Sequence, residues 1–66
     1  MIDYYVVENN IYRLEDTPGN SMGWLRLFLN GKLIDSLSYS VNCYYEYSVA
    51  KEFIMSRNSL KTEYRV

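Results

Sequence analysis

Apolar and polar positions alternate through residue 39 and then change period. Residues 2–8 are rich in tyrosine and valine and read as a strand. Asn9-Asn10 follows, and asparagine tolerates the positive φ that a two-residue hairpin turn demands. With residues 11–16 as the returning strand, this loop sets Val7 opposite Tyr12 and Tyr5 opposite Leu14 on one face. Tyr4, Val6, Arg13 and Glu15 then share the other face. Residues 17–23 gather proline, glycine and asparagine and form the longest loop. Residues 24–29 and 32–39 are two more strands around Asn30-Gly31, the preferred dipeptide of a type I′ turn.

A regular hairpin about that turn pairs Leu27 with Ile34, Leu25 with Ser36, Phe28 with Leu33, Arg26 with Asp35 and Trp24 with Leu37. One face is then aliphatic with small serines: Leu25, Leu27, Leu29, Ile34 and Ser36. The other is aromatic, with Trp24, Phe28, Leu33 and Leu37 around an Arg26–Asp35 pair. Over residues 42–57 the repeat becomes helical, with Val41, Tyr45, Val49 and Phe53 at every fourth position and Ala50 and Ile54 beside them. Ser40 or Asn42 is the expected cap at its start, and Asn58 the expected left-handed residue at its end. Residues 60–66 alternate again and predict a last strand at a sheet edge.

The expected fold is therefore α+β: an antiparallel sheet of four to five strands, in chain order β-β-β-β-α-β, with one helix packed on one face. Leu25, Leu27, Leu29, Ile34, Val49, Phe53 and Ile54 should form the core, with Ser36 and Ser38 making room for the helix. Sixty-six residues make one domain, 1–66, whose core is thin for its surface. Such domains often gain support from disulfides, a metal or a second subunit. Cys43 is the only cysteine and there is no histidine, so an internal disulfide is impossible and a zinc site is not expected.

The same inventory argues against catalysis, because mechanisms built on a histidine base have no base. Cys43 at the helix start is read as a half-buried filler, Glu15-Asp16 as strand neighbours pointing apart, and Asp16, Asn20 and Ser21 as solvated turn residues. No cofactor and no catalytic residue is expected. No secretory leader or membrane-spanning run is visible, which gives a cytoplasmic expectation without membrane contact. A net charge of −1 makes nucleic acid an unlikely partner.

Binding is the better class. Trp24, Arg26, Phe28, Leu33, Asp35 and Leu37 have the composition of an interface core, and a single helix cannot cover both apolar faces of the sheet. The expected partner is a protein, either another chain or a second copy. The segment from Trp24 to Ile34, followed by Ala50-Lys51-Glu52-Phe53 on a helix, resembles the sheet-plus-helix pattern of AP2-type and integrase arm-type DNA-binding domains. That resemblance implies a related fold and, as the alternative function, weak nucleic-acid binding. Those families present basic strand side chains, however, whereas here the opening hairpin is acidic. The compact, tyrosine-rich, histidine-free character also resembles small accessory proteins of bacteriophages, which implies a modulator or inhibitor of a host protein.

Overall fold

The computed structural model describes residues 1–66. Short turns and alternating side chains fold the first part of the chain into an antiparallel meander. Its strands β1 (Ile2–Val7), β2 (Asn10–Pro18), β3 (Met22–Leu29) and β4 (Lys32–Ser40) lie in the order β1-β2-β3-β4. The helix α1 (Tyr44–Arg57) crosses back over β4 and, more lightly, β3. No helix is long and apolar enough to cross a membrane.

The first hairpin turns at Glu8-Asn9, with Glu8 at φ 57, so Val7 pairs with Asn10, Tyr5 with Tyr12 and Asp3 with Leu14. This differs from the expected pairing by two residues. An even shift preserves parity, so Tyr5, Val7, Tyr12 and Leu14 still share the inner face. Asn10 joins the strand because its Oδ1 accepts a hydrogen bond from Asn30 Nδ2 at 3.1 Å. Asn30 Oδ1 in turn accepts from the Ile11 N–H at 2.9 Å, which ties the two hairpin turns together. Asn30 and Gly31 take φ 49 and 88, the positive values a type I′ turn requires.

The second hairpin departs from the regular register. Leu29–Lys32 and Phe28–Leu33 pair as expected, but Ile34 is then an extra residue, and the ladder resumes with Leu27–Asp35, Leu25–Leu37 and Gly23–Tyr39. Beyond this bulge every β4 side chain changes face. Asp35, Leu37 and Tyr39 turn inward beside Leu25 and Leu27, while Ser36 and Ser38 turn outward beside Arg26 and Trp24. Burial explains the preference: a regular register would put serines against the core and leave Leu37 and Tyr39 in water. A buried side chain of that size contributes about 1.5–3 kcal/mol, more than one local irregularity costs.

Tyr5, Leu14, Leu25, Leu27, Tyr39, Ile54, Met55 and Leu60 form the core cluster. Of the expected core, Leu25, Leu27 and Ile54 are buried, but Ile34, Val49 and Phe53 are not. The inner stripe of α1 is Tyr47, Ala50, Lys51, Ile54, Met55 and Asn58, rotated from the Tyr45–Val49–Phe53 stripe. Its polar members have partners: Lys51 Nζ lies 3.3 Å from Asp3, and Asn58 Nδ2 donates to Asp35 Oδ2 at 2.8 Å.

Neither Ser40 nor Asn42 caps α1; Cys43 occupies the N-cap, makes no side-chain cap bond and is exposed rather than half-buried. At the other end Ser59, not Asn58, takes the left-handed conformation, with φ 57. The Leu60 N–H donates to Met55 O at 2.9 Å and the Ser59 N–H to Ser56 O at 3.1 Å, the paired bonds of a Schellman termination. Leu60 is thereby turned into the core. The expected fifth strand does not form. Thr62–Tyr64 is a 3-10 turn, and only Arg65 bridges to Tyr5 on β1, with the Val66 N–H donating to Tyr4 O at 3.0 Å. Leu60 and Tyr64 both pack inward across that turn, a spacing that a straight strand would also have satisfied.

Candidate functional site

The sheet has one covered face and one open face. Along the open face the register brings together Ile2, Tyr4 and Val6 of β1 with Ile11, Arg13 and Glu15 of β2. It adds Trp24, Arg26 and Phe28 of β3 and Leu33 of β4. No element of the chain packs on them. Ile2, Tyr4, Ile11, Trp24 and Leu33 are between 45% and 52% exposed, a high value for large apolar side chains in neighbouring strands.

Two arginines lie across the middle of this face. The Arg13 guanidinium sits 4.2 Å from the Phe28 ring centroid, and the Arg26 guanidinium 6.0 Å from that of Trp24. Arg13 Nε is also 2.9 Å from a Glu15 carboxylate oxygen, but the angle is poor and this buried nitrogen has no hydrogen-bond partner. Arg26 makes no ion pair within the chain.

Of the six residues expected to form a docking surface, Trp24, Arg26, Phe28 and Leu33 share this face. Asp35 and Leu37 do not. The bulge at Ile34 sends Leu37 to the helix side, and Asp35 binds the end of α1 instead of Arg26. Asp35 accepts from Arg57 Nε at 2.7 Å, from a second Arg57 nitrogen and from Asn58. The Arg57 hydrogen bonds hold its carboxyl below the ordinary value, with help from Asn58 and the Ser36 N–H, while burial opposes them. Sequence reasoning missed Ile2, Tyr4, Val6 and Ile11 as extensions of the patch. Their outward parity was readable, but their adjacency to Trp24 and Phe28 depends on β2 lying beside β3. The bulge also had a signal: Leu37, Tyr39 and Val41 alternate with serines, and one extra residue is needed to set them against the leucines of β3.

Elsewhere the chemistry is sparse. An open cleft of about 700 Å³ lies between α1 and the C-terminal segment, lined by Tyr5, Lys51, Lys61 and Arg65 among others. Asp3 engages two of its cations, Lys51 at 3.3 Å and Arg65 at 3.6 Å. Burial pushes the Tyr5 phenol up, and its hydroxyl points at the Met55 sulfur, 3.6 Å away. No three His, Cys, Asp or Glu side chains lie close enough to hold a metal ion. Neither a protein-family model, nor a curated protein, nor a solved structure matches this chain.

Proposed function

We propose that this chain is a non-catalytic protein-binding module that docks through the open face of its sheet, in the manner of the small phage-type modulators its composition resembles. The observation that carries this reading is the uncovered patch of Tyr4, Ile11, Trp24 and Leu33, with half-buried Phe28 between them, around two arginines. Tryptophan and arginine dominate the energetics of protein interfaces, and a cation already over an aromatic ring loses little freedom on binding. The partner surface is apolar and carries a carboxylate for Arg26, which has no acidic partner of its own. Glu15 sits among the arginines and the chain is net negative, which favours a protein over a polyanion.

The test is a Trp24→Ala, Phe28→Ala double variant, compared with the wild type against a partner isolated on the wild type and then purified. Both positions lie on the open face outside the core cluster, and circular dichroism checks that the variant is folded. Binding should weaken by about 2–4 kcal/mol, read by calorimetry. A folded double variant that binds the same partner with unchanged affinity overturns the reading. A second reading has one observation in its favour: the bulge releases Arg26 from Asp35, leaving two arginines among rings able to stack on bases. It requires a gel shift with single-stranded nucleic acid at low salt that Trp24→Ala abolishes; no shift disposes of it.

A further inference from the structure

The two edges of the sheet differ. On β1 the edge is covered by Arg65 and Val66. On β4 nothing pairs with the outer edge. Near the bulge its polar groups meet their own side chains: the Ser36 N–H donates to Asp35 Oδ1 at 2.8 Å, and Arg57 approaches the Ser36 carbonyl at 3.5 Å. From Leu37 to Ser40 the Ser40 carbonyl accepts from the Cys43 N–H at 3.4 Å, while the outward N–H and C=O of Ser38 and the N–H of Ser40 lack this protection and the inward charge, proline or cover with which proteins usually blunt an edge.

Beside this open stretch runs a groove of about 250 Å³ between β4 and α1, lined by Leu37, Tyr45, Glu46, Val49 and Phe53 among others. Tyr45 is 73%, Val49 44% and Phe53 55% exposed. The apolar stripe displaced from the core thus lies on the same side of the molecule as the unpaired strand.

We infer that this edge pairs with a second copy of the chain, β4 antiparallel to β4, to give a continuous eight-stranded sheet with the two helices side by side. Charge and geometry select the second copy. The β4-facing side of α1 carries Glu46 near one end and Arg57 near the other. A twofold axis perpendicular to the sheet sets each Glu46 toward Nη1 of the partner's Arg57, the one guanidinium nitrogen not engaged with Asp35 or Ser36, with Val49 and Phe53 between. The midpoint of that pair falls at Lys51–Glu52. Asn58 lies beside Asp35, and the helix from there back to Lys51–Glu52 covers about 10 Å at 1.5 Å per residue. Three residues of strand span the same length, about 10 Å, which brings the axis to Ser38, within the open stretch from Leu37 to Ser40. The register set by charge and the register set by the free backbone therefore agree. Helices in contact need axes about 8–10 Å apart while paired strands are about 4.8 Å apart. Each helix must then sit inboard of its own β4, and α1 does contact β3 as well as β4.

This association leaves the open face free, so it stands independently of the docking proposal. Sedimentation equilibrium of the intact chain over a concentration series tests it, together with amide exchange at the dimer-populating concentration. The expected result is a monomer–dimer equilibrium in which the outward amides of Ser38 and Ser40 exchange more slowly as concentration rises while those of β1 do not change. Phe53→Lys, at an exposed position, should raise the dissociation constant by at least about tenfold with an unchanged circular dichroism spectrum. Glu46→Arg should weaken the dimer and make it more stable at high salt than at low. A monomer at every concentration overturns the inference. So does a dimer that Trp24→Lys dissociates and Phe53→Lys does not, because that dimer uses the open face.

Discussion

Tyr39 concentrates several of the constraints on this small core. Its ring lies against Gly23, where an added Cβ would come within 2.3 Å of the ring, and it meets Tyr47 edge-on at 5.2 Å. Its hydroxyl donates to Asp16 on β2, so one side chain on β4 spans β3 and binds the strand beyond. Burial, then the hydrogen bond to Asp16 and its negative charge, push the phenol up to about 12. The folded state therefore holds the phenolic proton more tightly than the unfolded chain, whose tyrosines titrate near 10. This contribution is fully present below pH 10 and is lost as pH rises through about 12. Urea unfolding midpoints measured across that alkaline window should fall, and fall less in Tyr39→Phe. Parallel pH profiles for the two proteins would show that the phenol titrates freely. Asp35 has the opposite sign: its lowered carboxyl favours the folded state above the ordinary carboxylate range, and that contribution disappears as pH falls through its depressed value.

At the scale of elements, turns dominate. The Asn30-Gly31 turn was legible because only a few dipeptides accept two positive φ values in succession. The helix end was legible in kind but not in place, since asparagine is the commoner left-handed residue and serine fills the position here. Asn58 instead sends its side chain to Ile54 O at 2.7 Å and to Asp35. Ser59 at φ 57 carries a steric cost that glycine does not. Ser59→Gly should therefore stabilise the protein by about 0.5–1 kcal/mol, measured as a higher thermal midpoint; an unchanged or lower midpoint would mean that the hydroxyl serves the folded state in another way. The buried face of α1 was misread for a related reason. Lys51 and Asn58 belong to it because Asp3 and Asp35 wait beneath them, and a search for apolar periodicity steps over both.

Across the whole molecule, the four strands, the helix that follows them and the α+β class were legible, because local periodicity and turn chemistry determine each. The split of the candidate site was not. Trp24, Arg26, Phe28 and Leu33 were placed together by strict alternation from the turn, while Asp35 and Leu37 were misplaced by one residue beyond it. The fifth strand failed for want of an edge of its own length: the Schellman turn at Ser59 directs Leu60 into the core, and the chain reaches β1 only at Arg65. The elongated shape, 36 by 20 by 18 Å, follows from a four-stranded sheet half-covered by one helix.

The extra residue in β4 also determines how the gene for this protein can change length. Removing one codon from a strand normally exchanges its two sets of side chains, and the fold does not survive. Ile34 is the exception, since it is counted in β4 but paired with nothing in β3. Without it, Leu33 still meets Phe28 and Asp35 still meets Leu27, and every later residue keeps its face. A chain lacking Ile34 should fold with a native-like spectrum and keep the Arg57–Asp35 contact, whereas a chain lacking Ser38 should not fold, because no regular register then turns both Leu37 and Tyr39 inward. One position of β4 is thus spare for inheritance, and a shorter descendant of this protein is most easily reached by losing it.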